Sequence, residues 1–277
     1  MDIAVLEFFE SIRCSFLTVI CSVLSFFGEG LFVAACAVVA LWLFDDDRIP
    51  LTVLFSVALN SFLKVAVARP RPFIAGVVSR VEIDGALVST MDLKPCESFP
   101  SGHSQSLSSL LFSYGLEKKQ KKTYLLCGLF CVLVALSRLY LGVHYPTDVL
   151  TGLCLGFLSA LIVAILSEKF PKVLPYVLFA LAILALIPAM CGTAGSYLKY
   201  GGLFVGLAAS LPFCKYIPRS KASFPKKFLR IPVGGVLAGC VFAFTLFLPA
   251  AATIFLYFLI ALAALPAARI VFYLLKI

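Results

Sequence analysis

Charge is scarce in this sequence. Asp, Glu, Lys and Arg supply 13% of its 277 residues, against 62% hydrophobic residues and a mean hydropathy of +1.06. A soluble domain carries about 25% charged residues. No soluble fold of this size could bury so much apolar surface, so the chain reads as an all-α, polytopic membrane protein. Histidine is nearly absent, with two in the chain. Cysteine is plentiful, with ten, but C-x-x-C pairs and Cys/His clusters are lacking. Most cysteines lie inside apolar runs, which excludes zinc and iron–sulfur centres and makes them small packing residues. Cys96 and Cys191 fall on one expected face, with no pairing assigned. The opening "MDIAVLEFFES" lacks a basic region, so no cleavable signal peptide is expected. The net charge of +9 is carried by short loops between apolar runs, a pattern of membrane orientation signals rather than of nucleic-acid binding.

Apolar runs fill most of the chain. Candidate spans are about 11–27, 30–44, 49–68, 103–116, 123–142, 147–167, 173–190, 196–213, 231–248 and 251–275. "GEG" (28–30) breaks the first two, which could instead be an interfacial helix plus one span, so nine or ten spans are expected. The loops "EKKQKK" (117–122), "SEKFPK" (167–172) and 214–230 are basic and are placed in the cytoplasm, together with the C-terminus. Loop 69–102 and the end of span 123–142 then lie outside. Three distant stretches are thereby brought to one outer surface.

Those stretches hold both histidines. His103 follows "PSG", which reads as a helix N-terminus with Ser101 as N-cap, where free N–H groups and the helix dipole favour an anion. His144 precedes "YPTD"; Pro146 suits a first helical position. Asp148, four residues on, is close enough to bond one ring nitrogen and leave the other free to attack. Lys64 and Arg138 lie inside apolar runs, where each costs about 2.5–3.5 kcal/mol unless paired. With Arg71 they could be paired by one oxyanion, bound bidentately by Arg and as a point charge by Lys. Arg69, Arg80 and Lys94 read as solvated loop charges. A lone His or Arg at a span end is more often a packing or snorkelling residue. The conjunction of two histidines, three cations and one acid at helix ends on one face outweighs that reading.

The segments "KVAVARPRP" (64–72), "PSGH" (100–103) and "SRLYLGVHYPTD" (137–148) resemble the three-part signature of the type 2 phosphatidic-acid phosphatase superfamily, K-x6-R-P, P-S-G-H and S-R-x5-H-x3-D. The superfamily includes lipid phosphatases, bacterial acid phosphatases, glucose-6-phosphatase and vanadium haloperoxidases. All three parts match without substitution, and the resemblance covers about residues 49–167. It implies a six-span phosphatase core in residues 1–172, with residues 173–277 as additional spans. His144 would be the nucleophile that becomes a phosphohistidine, Asp148 its orienting acid and His103 the general acid. Lys64, Arg71, Arg138, Ser101 and the Gly102 N–H would bind the phosphate. No metal or other cofactor is implied.

The expected activity is hydrolysis of a lipid phosphate or diphosphate at the outer face of the cell membrane, with undecaprenyl diphosphate, phosphatidic acid or phosphatidylglycerol phosphate as substrate. Rival readings are a sugar-phosphate phosphatase, a lipid phosphotransferase and a non-enzymatic transporter. No inverted repeat supports the transporter. Membrane lipids are the expected partners, nucleic acid is not, and the oligomeric state is left open. Lys199, in "GTAGSYLKYGG" (192–202), is the base of the C-terminal spans expected on the site's face, most simply as a solvated lysine.

Overall fold

A computed structural model describes residues 2–45, 47–81, 95–184, 221–245 and 266–277, with isolated positions between 206 and 217. The expectations for Lys94, Cys191 and Lys199, and most of the spans expected over 185–265, lie outside these residues. The protein is an all-α transmembrane bundle. Its helices are α1 (Asp2–Ser11), α2 (Ser15–Phe26), α3 (Gly30–Phe44), α4 (Arg48–Val67), α5 (Gly102–Lys118), α6 (Lys121–Tyr140), α7 (Pro146–Lys169) and α8 (Leu174–Leu184). After a gap come α9 (Phe224–Lys227) and α10 (Arg230–Thr245), and residues 266–274 are helical.

Among the described residues, α4, α6 and α7 are long and apolar enough to cross a membrane alone. Helices α2 and α3, bent by 45° at the "GEG" break, pass that test together as a bent pair, and neither passes it alone. Leu125, Leu129 and Leu133 of α6 and Leu158, Leu161 and Ile165 of α7 point outward, as lipid-facing side chains do.

Helix α5 occupies the centre, packed by α3, α4, α6 and α7. It is the least apolar of the long helices, yet Ser104, Gln105, Ser106, Ser108, Ser109 and Ser113 are buried. Their polar groups find internal partners, as the bundle interior demands. The Gln105 amide donates to the Ser56 carbonyl (2.7 Å) and accepts from Asn60 (2.8 Å), and the Ser108 hydroxyl donates to the Leu153 carbonyl (2.8 Å).

Small residues set the α5–α7 distance. A Cβ at Gly152 would stand 2.7 Å from the Ser101 carbonyl oxygen, and one at Gly156 would stand 2.4 Å from that of Gln105. The Gly152/Gly156 pair is a small-xxx-small seam that lets two backbones touch. It brings the N-terminus of α7 against that of α5. The C-termini of α4 and α6 reach the same end, so Lys64, Arg138, His103 and His144 share one end of the bundle.

Helices α1 and α2 brace that end. The buried Tyr140 hydroxyl accepts from the Cys14 N–H (2.9 Å), and Arg13 donates to the carbonyls of Tyr140 (3.2 Å) and Ser79 (2.9 Å). At the opposite end, Arg48 meets Glu117 at 2.6 Å, and α9 and α10 pack on α3.

Candidate active site

Helix α7 begins as the sequence predicts. Pro146 lies in its first turn, Tyr145 is the N-cap, and Asp148 closes a capping box by accepting the Tyr145 N–H at 2.9 Å. The turn before it needs Gly142. Its φ is +70°, and a Cβ there would stand 2.6 Å from an Arg13 nitrogen. This turn folds His144 back into the bundle, fully buried.

The His144–Asp148 pair forms, with a difference from expectation. Nδ1 of His144 stands 3.6 Å from Oδ2 of Asp148, beyond hydrogen-bond reach, and Nδ1 has no other partner among the described residues. Oδ2 is already occupied by the Ser98 hydroxyl (2.5 Å) and the Tyr145 N–H. Nε2 faces Nη1 of Arg71 at 3.3 Å, and that same nitrogen donates to the Val143 carbonyl at 2.9 Å. Burial, then the charges of Arg71 and Arg138, push the His144 pKa well below the ordinary imidazole value. The ring is therefore neutral near pH 7, with a lone pair to offer.

The remaining residues gather around it. Ser101 caps α5, its hydroxyl taking the Ser104 N–H at 3.5 Å, and its own N–H donates to the Asp148 carbonyl at 3.0 Å. The Lys64 ammonium lies beside Gly102, 3.8 Å from where a Cβ would be. Arg138 is buried and donates to the Ser25 hydroxyl, while its Nε has no partner among the described residues. His103 approaches Glu29, 3.2 Å between Nε2 and Oε2.

Arg69 departs from its reading as a solvated loop charge. It donates to Oδ1 of Asp148 (2.7 Å) and to the Thr147 hydroxyl (2.7 Å), pairs with Asp2 (3.2 Å), and lies 3.9 Å over the Tyr145 ring. A fully buried carboxylate at a helix start demands a counter-charge, and Arg69 comes from the loop that passes over it. Its place in "ARPRP", two residues from Arg71, was the available signal. Arg80 is half-buried and stacks near Phe73, at 5.3 Å, rather than standing free in solvent. Glu29 and Ser25 were also missed. Their signal was a single acid between two apolar runs, legible as a helix break but not as a neighbour of His103.

Residues 48–172 match the family model of the PAP2 superfamily. All eight residues assigned from the three-part resemblance lie within the matched PAP2 segment. The chain is 35% identical over 123 residues to phosphatidylglycerophosphatase B of Bacillus subtilis, covering 41% of this chain and 54% of that protein. It is 31% identical over 122 residues to a lipid A 1-phosphatase of Rhizobium johnstonii, covering 43% and 46%. It is 28% identical over 169 residues to an undecaprenyl-diphosphatase of Bacillus subtilis, covering 58% and 80%. The chain thus spans about half the length of the first two relatives. A crystal structure of a transmembrane PAP2-type phosphatidylglycerolphosphate phosphatase from Bacillus subtilis is also similar, at 26% identity and a TM-score of 0.48, covering 62% of this chain and 86% of that one.

Proposed function

We propose that this protein is a membrane phosphatase that hydrolyses a lipid phosphate or diphosphate through a phosphohistidine. The observation that carries the reading is the convergence of Lys64, Arg71, Arg138 and both histidines at one buried end of a lipid-facing bundle. Three cations brought this close repel one another, and an oxyanion that joins them offsets that repulsion. A phosphoryl group supplies three equatorial oxygens for the two guanidinium groups, the ammonium, and the Ser101 hydroxyl with the Gly102 N–H.

In this reading Nε2 of His144 attacks phosphorus, the bond to the leaving oxygen breaks, and His103 gives that oxygen its proton. A water then attacks the phosphohistidine, gives a proton back to His103, and releases phosphate. The cations stabilise charge that builds on the equatorial oxygens, so positioning and electrostatics do the work a metal does elsewhere. Asp148, held by Arg69, Ser98 and the α7 cap, balances the charge His144 acquires. Relatives named for phosphatidylglycerophosphate, lipid A 1-phosphate and undecaprenyl diphosphate support an amphiphilic substrate. Residues 1–172 would form the phosphatase core and 173–277 would add spans to it.

The test is phosphate release by purified protein across a panel of lipid and sugar phosphates with EDTA present. Release from lipid esters, inhibited by orthovanadate, is expected. A strict Mg²⁺ requirement, or preference for a soluble sugar phosphate, would overturn the respective part of the reading. The basic loops support a site on the outer side. Cysteines at Ala75 and Gln120, both exposed, should label oppositely in intact cells. Labelling at Gln120 alone would move the chemistry to the cytoplasm.

A further inference from the structure

We propose that Glu29, at the break between α2 and α3, is a positioning residue that holds and orients His103 as the general acid; this deepens the phosphatase reading and rests on it. The "GEG" break is pressed against the site. A Cβ at Gly28 would stand 2.8 Å from Cβ of His103 and 3.1 Å from Cγ1 of Val134, so only glycine lets the break come this close. The following residue then places Oε2 of Glu29 3.2 Å from Nε2 of His103. One turn earlier, Ser25 accepts from Arg138. The bent α2/α3 pair thus touches the site through two residues, one on the candidate acid and one on a candidate phosphate-binding base.

The chemistry gives the carboxylate a task. A general acid must carry its proton until the leaving oxygen is in place. His103 sits among cations that oppose this: Lys64 from α4 and Arg138 from α6. Among the described residues, Glu29 is the carboxylate in contact with the ring. The 3.2 Å approach is not aligned as a hydrogen bond in this structure, and a small turn of the ring that sets Nε2–H on Glu29 leaves the Nδ1–H bond to be the one that breaks as the leaving oxygen gains its proton. Water returns a proton to Nδ1 in the second step, and Nε2–H stays on Glu29 throughout. Each histidine then has a carboxylate at a helix start: Asp148 in the first turn of α7 for His144, and Glu29 at the N-cap of α3 for His103.

Glu29→Gln in the full-length protein tests this, with turnover measured on p-nitrophenyl phosphate and on a lipid phosphate between pH 5 and 8.5. The first has a leaving group that needs no proton. Expected is a fall in kcat on the lipid ester of roughly 10- to 100-fold, in the lower range of general-acid contributions. The change on p-nitrophenyl phosphate should be much smaller, KM should hold, and the basic limb for the lipid ester should move to lower pH. Glu29→Asp should restore part of the loss. Equal losses on both substrates would reduce Glu29 to a structural residue, and no loss on either would sink the proposal. Wild-type protein inert on every ester would sink the phosphatase reading instead. A separate measurement then decides the pairing: in His144→Ala, His103 is the sole imidazole, and its ¹⁵N titration midpoint should drop when Glu29→Gln is added. An unmoved midpoint would overturn the proposal whatever the activity.

Discussion

Arg138 and Arg230 are both buried, at opposite ends of the bundle. Arg230 donates to Asp45 at 2.7 Å and to the Trp42 carbonyl at 2.6 Å, and Lys227 meets the other oxygen of Asp45 at 2.5 Å. Close by, Arg269 pairs with Asp47 at 3.1 Å. Arg138 has a serine hydroxyl and, among the described residues, no carboxylate in salt-bridge contact. Its neighbours Arg71 and Lys64 are cations, and Arg71 donates to a carbonyl and faces an imidazole. One end therefore uses charge to join α9, α10 and residues 266–277 to α3, with its acids already present. The other gathers Lys64, Arg71 and Arg138 around the two histidines, with Asp148 and Glu29 set beside the imidazoles. The described C-terminal helices accordingly contact the core at the far end from the site.

The sharpest way to break this contrast is the proposed nucleophile. His144→Ala should lower turnover by roughly 10⁴-fold or more, as removal of a nucleophile does elsewhere, while the protein still elutes as folded. Asp45→Asn should leave kcat untouched in the same phosphate-release assay. Substantial activity in His144→Ala would void the role assignment.

Next comes the arginine pair itself. Arg138→Ala should cost about 10²- to 10³-fold in kcat, the effect of losing one preorganised donor to transition-state charge, without lowering the thermal midpoint. Arg230→Ala should do the reverse. It should hold kcat within about twofold and reduce stability by about 1–3 kcal/mol, since Asp45 is left with Lys227 alone. A melting curve beside each rate measurement distinguishes them, and matching behaviour would erase the comparison.

A smaller effect is expected from Arg69→Ala, which loosens Asp148 without touching phosphate. About a tenfold fall in kcat with unchanged KM is the expectation, given charge-assisted bonds worth roughly 1.5–3 kcal/mol, discounted because Arg69 is partly exposed. Arg69→Lys should recover part of it. A change confined to KM would instead make Arg69 a phosphate ligand.

The smallest effect concerns pH. The His144 pKa is depressed by burial and neighbouring cations, so its neutral form persists as pH falls. An acid limb assigned to this group in kcat/KM should lie below 6.5, so His144 should cause no loss of activity between pH 7.5 and 6.5. A limb above 6.5 that vanishes in a His144 variant would contradict the sign.

Much of the site was legible because each part is local. Lys64 and Arg71 are seven residues apart, His144 and Asp148 four, and the P-S-G-H start of α5 is a capping signal. The basic loops were enough to infer that these parts share a face. Glu29, Ser25 and Arg69 were not legible in the same way. Each acts on a residue at least 74 positions distant, and no periodicity or spacing rule reaches that far. The expected hydrogen bond from His144 to Asp148 also needed more than spacing. Two other donors compete for the same oxygen, and both were invisible in the i, i+4 pattern.

The sequence by itself determined the solvent of this protein, the helical class, and the residue types that meet at one end of the bundle. Those follow from apolar run length, charge placement and local capping, which act within a few turns of chain. Only the tertiary structure decided which carboxylate faces which histidine and which side chains meet Arg138 and Arg230. Those outcomes depend on how closely helices approach, fixed here by Gly28, Gly152 and Gly156, whose absent side chains let distant backbones touch.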